Sequence, residues 1–229
     1  MCGRFTNGSG PDDIGEFFGV VQIGEGLPLP SWNVSPTDAV NIVIESVKGD
    51  EGPVRRLEAA RWALVRPNAP DLKSGPPLFN VRSETVMQKF GWAMRRRALI
   101  PLESYYEWQT EGNVKTPFNI HPSGGGFLVA AAVSSWWKDP AVADGEAERW
   151  LLTTSMLTMD AVPHLAAIHR RNPVFLPREF WADWLDPAVL ADEDLVKAAV
   201  GVGAEVAAEL QFHQVRPLKG NDPSLVEPA

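Results

Sequence analysis

The sequence predicts an α+β fold, a single domain over residues 1–229 with a mixed, barrel-like central β-sheet and flanking helices. Three observations carry this. Short β-branched or aromatic segments crowd the stretch from Arg97 to Thr154. Helical patterning is concentrated after Asp160, and the two kinds of segment do not alternate as a doubly wound chain requires. At 229 residues and 45% hydrophobic the chain can bury one large core. Its Pro/Gly-rich pieces, Pro67 to Pro77 and Ser123 to Gly126, are short enough to be loops.

In chain order, Asp12 is placed to cap a short helix through Glu16, Phe17 and Phe18. Trp32 to Thr37 (WNVSPT) reads as turn chemistry, while Ala39 to Glu45 (AVNIVIE) and Leu57 to Val65 (LEAARWALV) read as strands. Ser83 can accept the free amides of a first helical turn and so opens a helix through Val86, Met87 and Phe90. Arg97 to Leu102 and Ser104 to Gln109 form strand with a kink at Pro101, followed by strands at Thr116 to Ile120, Phe127 to Ser134 and Trp150 to Thr154. Helices are expected over Asp160 to Ile168, Arg178 to Leu185 and Asp192 to Val200, with a closing strand at Val206 to Val215. Phe180, Trp181, Trp184 and Leu185 share one helical face, a stripe that belongs to the core.

One cysteine rules out an intrachain disulfide and fits a reducing compartment. No apolar run approaches the roughly 18–20 residues that span a bilayer, and the basic-then-apolar layout of a signal peptide is missing, so a cytoplasmic location without membrane contact is expected. The formal charge of −8 and pI near 5.0 argue against general nucleic-acid binding. The charge is uneven, however: Arg82, Lys89, Arg95, Arg96 and Arg97 face a single acid, Glu84, between positions 82 and 97. For Arg95 to Arg97 alone a solvated helix end is the simpler reading. One cysteine and four histidines offer no ligand spacing for a metal, and no cofactor motif is present.

The sole cysteine stands second, in Met1-Cys2-Gly3-Arg4-Phe5. With Met1 trimmed, Cys2 carries an α-amine and a thiol on adjacent carbons. At pH 7 about a tenth of such amines are neutral, against about one lysine in 2,500. A neutral amine attacks an aldehyde, and the neighbouring sulfur can close the resulting imine into a thiazolidine. The thiol is also a nucleophile once a base or positive charge lowers its pKa. The plain alternative is a small buried hydrophobe.

Three polar groups interrupt the apolar segments. In Phe79 to Thr85 (FNVRSET), Asn80 could hold the Cys2 backbone or a ligand and Arg82 could pair with a phosphate, or both could simply cap the helix. In Tyr105-Tyr106-Glu107-Trp108 the carboxylate is flanked by aromatics; burial there would raise its pKa toward neutral, whereas an edge position would leave it exposed. His169, ahead of Arg170 and Arg171, suits proton transfer beside a phosphate, or is structural.

Together these segments resemble the SRAP family (SOS response-associated peptidase). The resemblance rests on MCGRF, WNVSPT, RWALV at Arg61 to Val65, FNVRSET, RALIP…YYEW from Arg97 to Trp108, TPFNI at Thr116 to Ile120, and IHRRNPVFLP at Ile168 to Pro177. It covers residues 2 to about 177, with a weaker echo from Val215 to Pro228. It implies a monomeric sensor of abasic sites in single-stranded DNA, nucleoid-associated when bound, that crosslinks itself through Cys2. Asn80 would hold the reacting terminus, Glu107 would orient and deprotonate the amine, and His169 would assist sugar ring opening. Arg4, Arg82 and Arg170 would contact phosphates. The peptidase activity attributed to the family would amount to removal of Met1. Two departures stand out. Pro67-Asn68-Ala69-Pro70 replaces the tryptophans that commonly follow this motif and stack on bases, and Asn172 replaces a more usual Met or Arg. The competing readings are an N-terminal-nucleophile amidohydrolase, in which Cys2 attacks an amide, and a non-catalytic binding protein.

Overall fold

In the computed structural model, residues 2–47, 52–146 and 149–229 are described, and their strands fall into two sheets. The first is antiparallel, with β1 (Arg4–Asn7) between β3 (Ser31–Val34) and β8 (Ser104–Glu111), followed by β9 (Val114–Pro122) and β13 (Leu210–Gln214). The second holds β2 (Gln22–Ile23), β4 (Ala39–Val47), β5 (Pro53–Trp62), β7 (Arg97–Leu102), β10 (Leu128–Lys138), β11 (Trp150–Asp160) and β12 (Arg171–Pro173).

Within the second sheet the path β5-β4-β7-β10-β11 is antiparallel and returns on itself, because β11 also pairs with β5 in parallel at Thr153↔Arg61 and Thr154↔Trp62. Closure removes the open edge that a five-stranded sheet would otherwise present. The wall is covered on both sides, so β7 is buried at every position and β10 from Leu128 to Ser135. That is why these strands read as near-continuous apolar runs instead of alternating ones. Farther along the same edge of β11 lies β6 (Asn80–Arg82), parallel and in register at Met156↔Asn80. The chain leaves the β11 edge after Trp62 and rejoins it at Asn80. Trp62 Nε1 donates to the Phe79 carbonyl at 2.9 Å and the Leu64–Leu78 bridge closes the excursion.

The first sheet packs on the barrel through aromatic contacts. Phe5 of β1 meets Trp62 edge-on at 4.9 Å, and Tyr105 of β8 lies 5.7 Å from Phe175. Such pairs add roughly 0.5–1.5 kcal/mol beyond the area they bury. The helices are α1 (Pro11–Phe18), α2 (Ser83–Phe90), α3 (Pro163–Ala166), α4 (Trp181–Leu185) and α5 (Glu193–Ala208). As expected, Trp181, Trp184 and Leu185 are buried, and Trp184 Nε1 donates to the Ala98 carbonyl at 3.0 Å.

Several local expectations are corrected. The first helix is capped at Gly10, not Asp12, with the Asp13 carboxylate accepting the Gly10 N–H at 3.3 Å. Trp32 to Val34 is strand, and the turn begins after it, where Thr37 takes a left-handed φ of 81°. Ser83 is the first helical residue, and Arg82 stands at the cap position without a side-chain bond. The helix expected from Asp160 is mostly absent, because β11 continues to Asp160 and only Pro163–Ala166 is helical. At the C-terminal side α5 runs to Ala208, so the closing strand starts at Leu210. Arg97 is no solvated helix end: it is buried and donates to the carbonyls of Trp184, Met94, Asp186 and Val189. Met1 lies outside the described residues.

Candidate functional site

Of the polar residues singled out in the sequence, Cys2, Asn80, Glu107 and His169 come together, Asn80 bonded to the Cys2 carbonyl and His169 beside Glu107. Arg4 and Glu107 stand on the first sheet with Cys2 just ahead of β1, Asn80 and Arg82 stand on β6, and His169 and Arg170 come just ahead of β12. The β1–β8 register aligns Arg4 with Tyr106, so one step beyond it the chain ahead of β1 comes level with Glu107. Glu107 shares a strand face with Tyr105, two residues away, and opposes that of Tyr106.

Cys2 is fully buried, and its thiol makes only a weak 3.8 Å contact to the Arg4 carbonyl. Burial, reinforced by the nearby Glu107 charge, pushes the thiol pKa well up. The resting sulfur is therefore a thiol, and something must take its proton before it can attack. Asn80 Nδ2 donates to the Cys2 carbonyl at 2.6 Å. The short strand β6 sets this bond, because pairing with β11 fixes Asn80 opposite Met156 and aims its side chain across the seam.

Glu107 is 3% exposed, which removes the edge-glutamate reading. Desolvation raises its pKa, partly offset by His169. His169 Nδ1 lies 3.7 Å from Glu107 Oε1 and 3.1 Å from both the amide nitrogen and the carbonyl oxygen of Arg171. The neutral ring can accept from the amide, and the charged ring can turn a proton toward carbonyl and carboxylate. His169 remains about a quarter exposed on its side chain, so it connects the buried carboxylate with solvent.

The arginines divide by environment. Arg4 is half-buried and donates to Asn33 Oδ1 at 2.6 Å, while Asn33 Nδ2 donates to the Gly220 carbonyl at 2.7 Å. Arg82 and Arg170 are exposed on the barrel side. Arg171 has a structural task. It grips Glu84 of α2 through two bonds of 2.5 and 3.0 Å, Asp160 at 2.6 Å and the Thr158 carbonyl at 2.7 Å, which fixes the turn carrying His169. That grip holds the Glu84 pKa low. Asn172 is likewise structural: its Oδ1 accepts the Val162 N–H at 3.1 Å and its Nδ2 donates to the Pro173 carbonyl at 2.8 Å.

Two contributors escaped the sequence reading. Asn33 lay inside a segment read as a turn, and its partner Gly220 is 187 residues away. Tyr105, fully buried with its hydroxyl unpartnered, was read only as an aromatic flank of Glu107. No group of three or more His, Cys, Asp or Glu that could hold a metal occurs among the described residues. Among these residues no helix is long and apolar enough to cross a membrane.

A family model described as SOS response associated peptidase (SRAP) matches residues 1–221. Abasic site processing protein YoqW of Bacillus subtilis is 32% identical over 236 residues, covering 99% of each chain. Abasic site processing protein YedK of Escherichia coli is 29% identical over 234 residues, covering 96% of this chain and 95% of its own. In three dimensions, a protein from Bacteroides thetaiotaomicron superposes with a TM-score of 0.78 at 19% identity over the whole of both chains. Another, from Bordetella bronchiseptica, gives 0.71 at 20% identity over 94% of this chain and 100% of its own. The two structures share the fold, and the sequence matches run nearly end to end: the chain belongs to the SOS response associated peptidase (SRAP) family.

Proposed function

We propose that this chain processes abasic sites in single-stranded DNA as a monomer, forming a covalent thiazolidine crosslink through Cys2. The observation that carries the reading is the 2.6 Å bond from Asn80 to the Cys2 carbonyl, which fastens the reacting residue beside a buried carboxylate of raised pKa. The names of the curated relatives, abasic site processing proteins, agree with it.

In this mechanism hydrolysis of the Met1–Cys2 peptide bond, the peptidase step, frees the α-amine. Water supplies hydroxyl to the methionine carbonyl and hydrogen to the new amine. The ring-opened abasic sugar presents an aldehyde, which the neutral amine attacks to give a carbinolamine. Loss of water forms the imine, the Cys2 sulfur adds to the imine carbon, and the thiol proton ends on the ring nitrogen. The crosslinking steps release one water, and the hydrolysis that precedes them consumes one. Glu107 as carboxylate takes the proton from the amine and as acid returns it to the departing hydroxyl, both of which its raised pKa favours. His169 moves the surplus proton between Glu107 and solvent, and helps open the sugar. Arg4, Arg82 and Arg170 hold the flanking phosphates, with Arg4 aimed by Asn33.

The test is to mix the protein with an oligonucleotide bearing one abasic site and look for a heat-stable adduct. The wild type forms one. Cys2→Ser leaves only an imine that must be trapped by reduction, because oxygen closes the ring less favourably. A heat-stable adduct from Cys2→Ser at wild-type yield would rule out the thiazolidine.

A further inference from the structure

The basic run at Arg95 to Arg97 divides in the folded chain. Arg97 is consumed by backbone carbonyls, as described above, whereas Arg95 and Arg96 are exposed and neither side chain makes a hydrogen bond or ion pair within the described residues. Both line a cavity of about 220 Å³ whose wall also includes Ser46, Arg56 and Trp136. Two donors in this wall are buried without a partner: the Ser46 hydroxyl and the Arg56 Nε. Glu45, a carboxylate in the same wall, is already held by Arg55 through bonds of 2.9 and 2.8 Å, and Arg56 pairs with Glu58 through its Nη2 alone. Trp136 is 38% exposed.

A buried donor left unpaired is costly, so the cavity is improved by any ligand that brings acceptors. Two unpaired guanidinium groups select an anion, and several oxygens disposed around one centre satisfy guanidinium forks and a hydroxyl together. That description fits a phosphate group. The volume falls below the roughly 300–1,000 Å³ of pockets that enclose drug-sized ligands. The cavity thus has room for a phosphate with the rest of a ligand at the rim, beside the exposed Trp136, whose ring type stacks on bases. The cavity is separate from Cys2. Leu152 lines it, and Leu152 precedes Met156, the register partner of Asn80, by four residues, roughly 13 Å along β11.

We propose that this cavity is a second site, which binds the phosphate group of a nucleotide with its base against Trp136. The phosphate comes either from a DNA strand lying along the barrel or from a free mononucleotide. The site does not depend on the Cys2 chemistry.

The experiment compares wild type with the double variant Arg95→Gln/Arg96→Gln and with Trp136→Leu. Each is first checked for an unchanged melting temperature, which these exposed positions should preserve. Binding of an undamaged single-stranded oligonucleotide is measured by anisotropy across a salt series, and binding of deoxyadenosine monophosphate by calorimetry. If a strand occupies the site, the double variant loses about tenfold or more in oligonucleotide affinity. Its slope of log K against log salt then falls by about 0.7, for the one phosphate that the cavity holds. If a free nucleotide occupies it, calorimetric binding disappears in both variants while the oligonucleotide slope is unchanged. Unaltered binding of both probes would overturn the proposal. Crosslinking to a saturating abasic oligonucleotide, run alongside, reports on Cys2 independently and is expected to be the same in all three proteins.

Discussion

Burial raises the pKa of Glu107, so between its unfolded value near 4.3 and its higher folded value the native chain holds a proton that the unfolded chain has released. Stability from that proton is complete below the unfolded pKa and is lost as pH rises through the folded one. Glu107→Gln removes the charge and keeps the shape. It should melt with the wild type near pH 4 and above it at pH 8, while crosslinking slows by about 10²–10⁴-fold, as does that of His169→Ala. Melting curves at the two pH values and single-turnover rates check this; an amide variant less stable than wild type at pH 8 would contradict it. Asn80, Glu107 and His169 were legible because each is a polar residue interrupting an apolar stretch, where it must have a partner or a purpose. Arg171 and Asn33 were not. The partners that define them, Glu84 and Gly220, are 87 and 187 residues distant, and no local pattern announces such a bond.

At the scale of elements, the α5 helix presses on residues 174–175 through Gly203. A methyl group there would sit 3.0 Å from Val174 Cγ1 and 3.2 Å from the Phe175 carbonyl oxygen, whereas at Gly201 nothing lies within 4 Å. Replacing glycine by alanine in an open helical position gains up to about 1 kcal/mol. Gly201→Ala should therefore stabilise the protein by roughly 0.5–1 kcal/mol, and Gly203→Ala should lower its stability, since backbone cannot retreat as a side chain can. Denaturant unfolding of the two variants decides the point; equal gains would mean that α5 is not packed this closely. The long strands were legible from their β-branched composition. The short β6 was not: it is three residues long and owes its conformation to pairing with β11. Pairing with β12 draws β11 out to Asp160, overriding the helical pattern that begins there.

For the whole molecule, the net charge of −8 sets the terms on which DNA can approach. In the proposed mechanism phosphate contacts fall to a few arginines, and the loop from Pro67 to Pro77 offers no tryptophan, its Ala69 carbonyl being engaged instead by Trp137 Nε1 at 2.8 Å. Binding to undamaged duplex should be weak and disappear with modest salt. Filter binding at physiological salt tests this, and tight duplex binding would contradict it. The mixed barrel was legible as an expectation because strands and helices did not alternate. Its closure was not, because it depends on the parallel contact of β11 with β5 across 92 positions at Thr153↔Arg61. The central claim is that the α-amine and thiol of Cys2 act together, and it is tested most directly by the intact mass of a variant carrying a non-removable extension ahead of Cys2, mixed with an abasic oligonucleotide. The extension turns the amine into an amide, so the account predicts the mass of the free protein alone, with the adduct mass returning once a protease re-exposes Cys2. An adduct formed by the blocked protein would assign the chemistry to a lysine or to the thiol by itself.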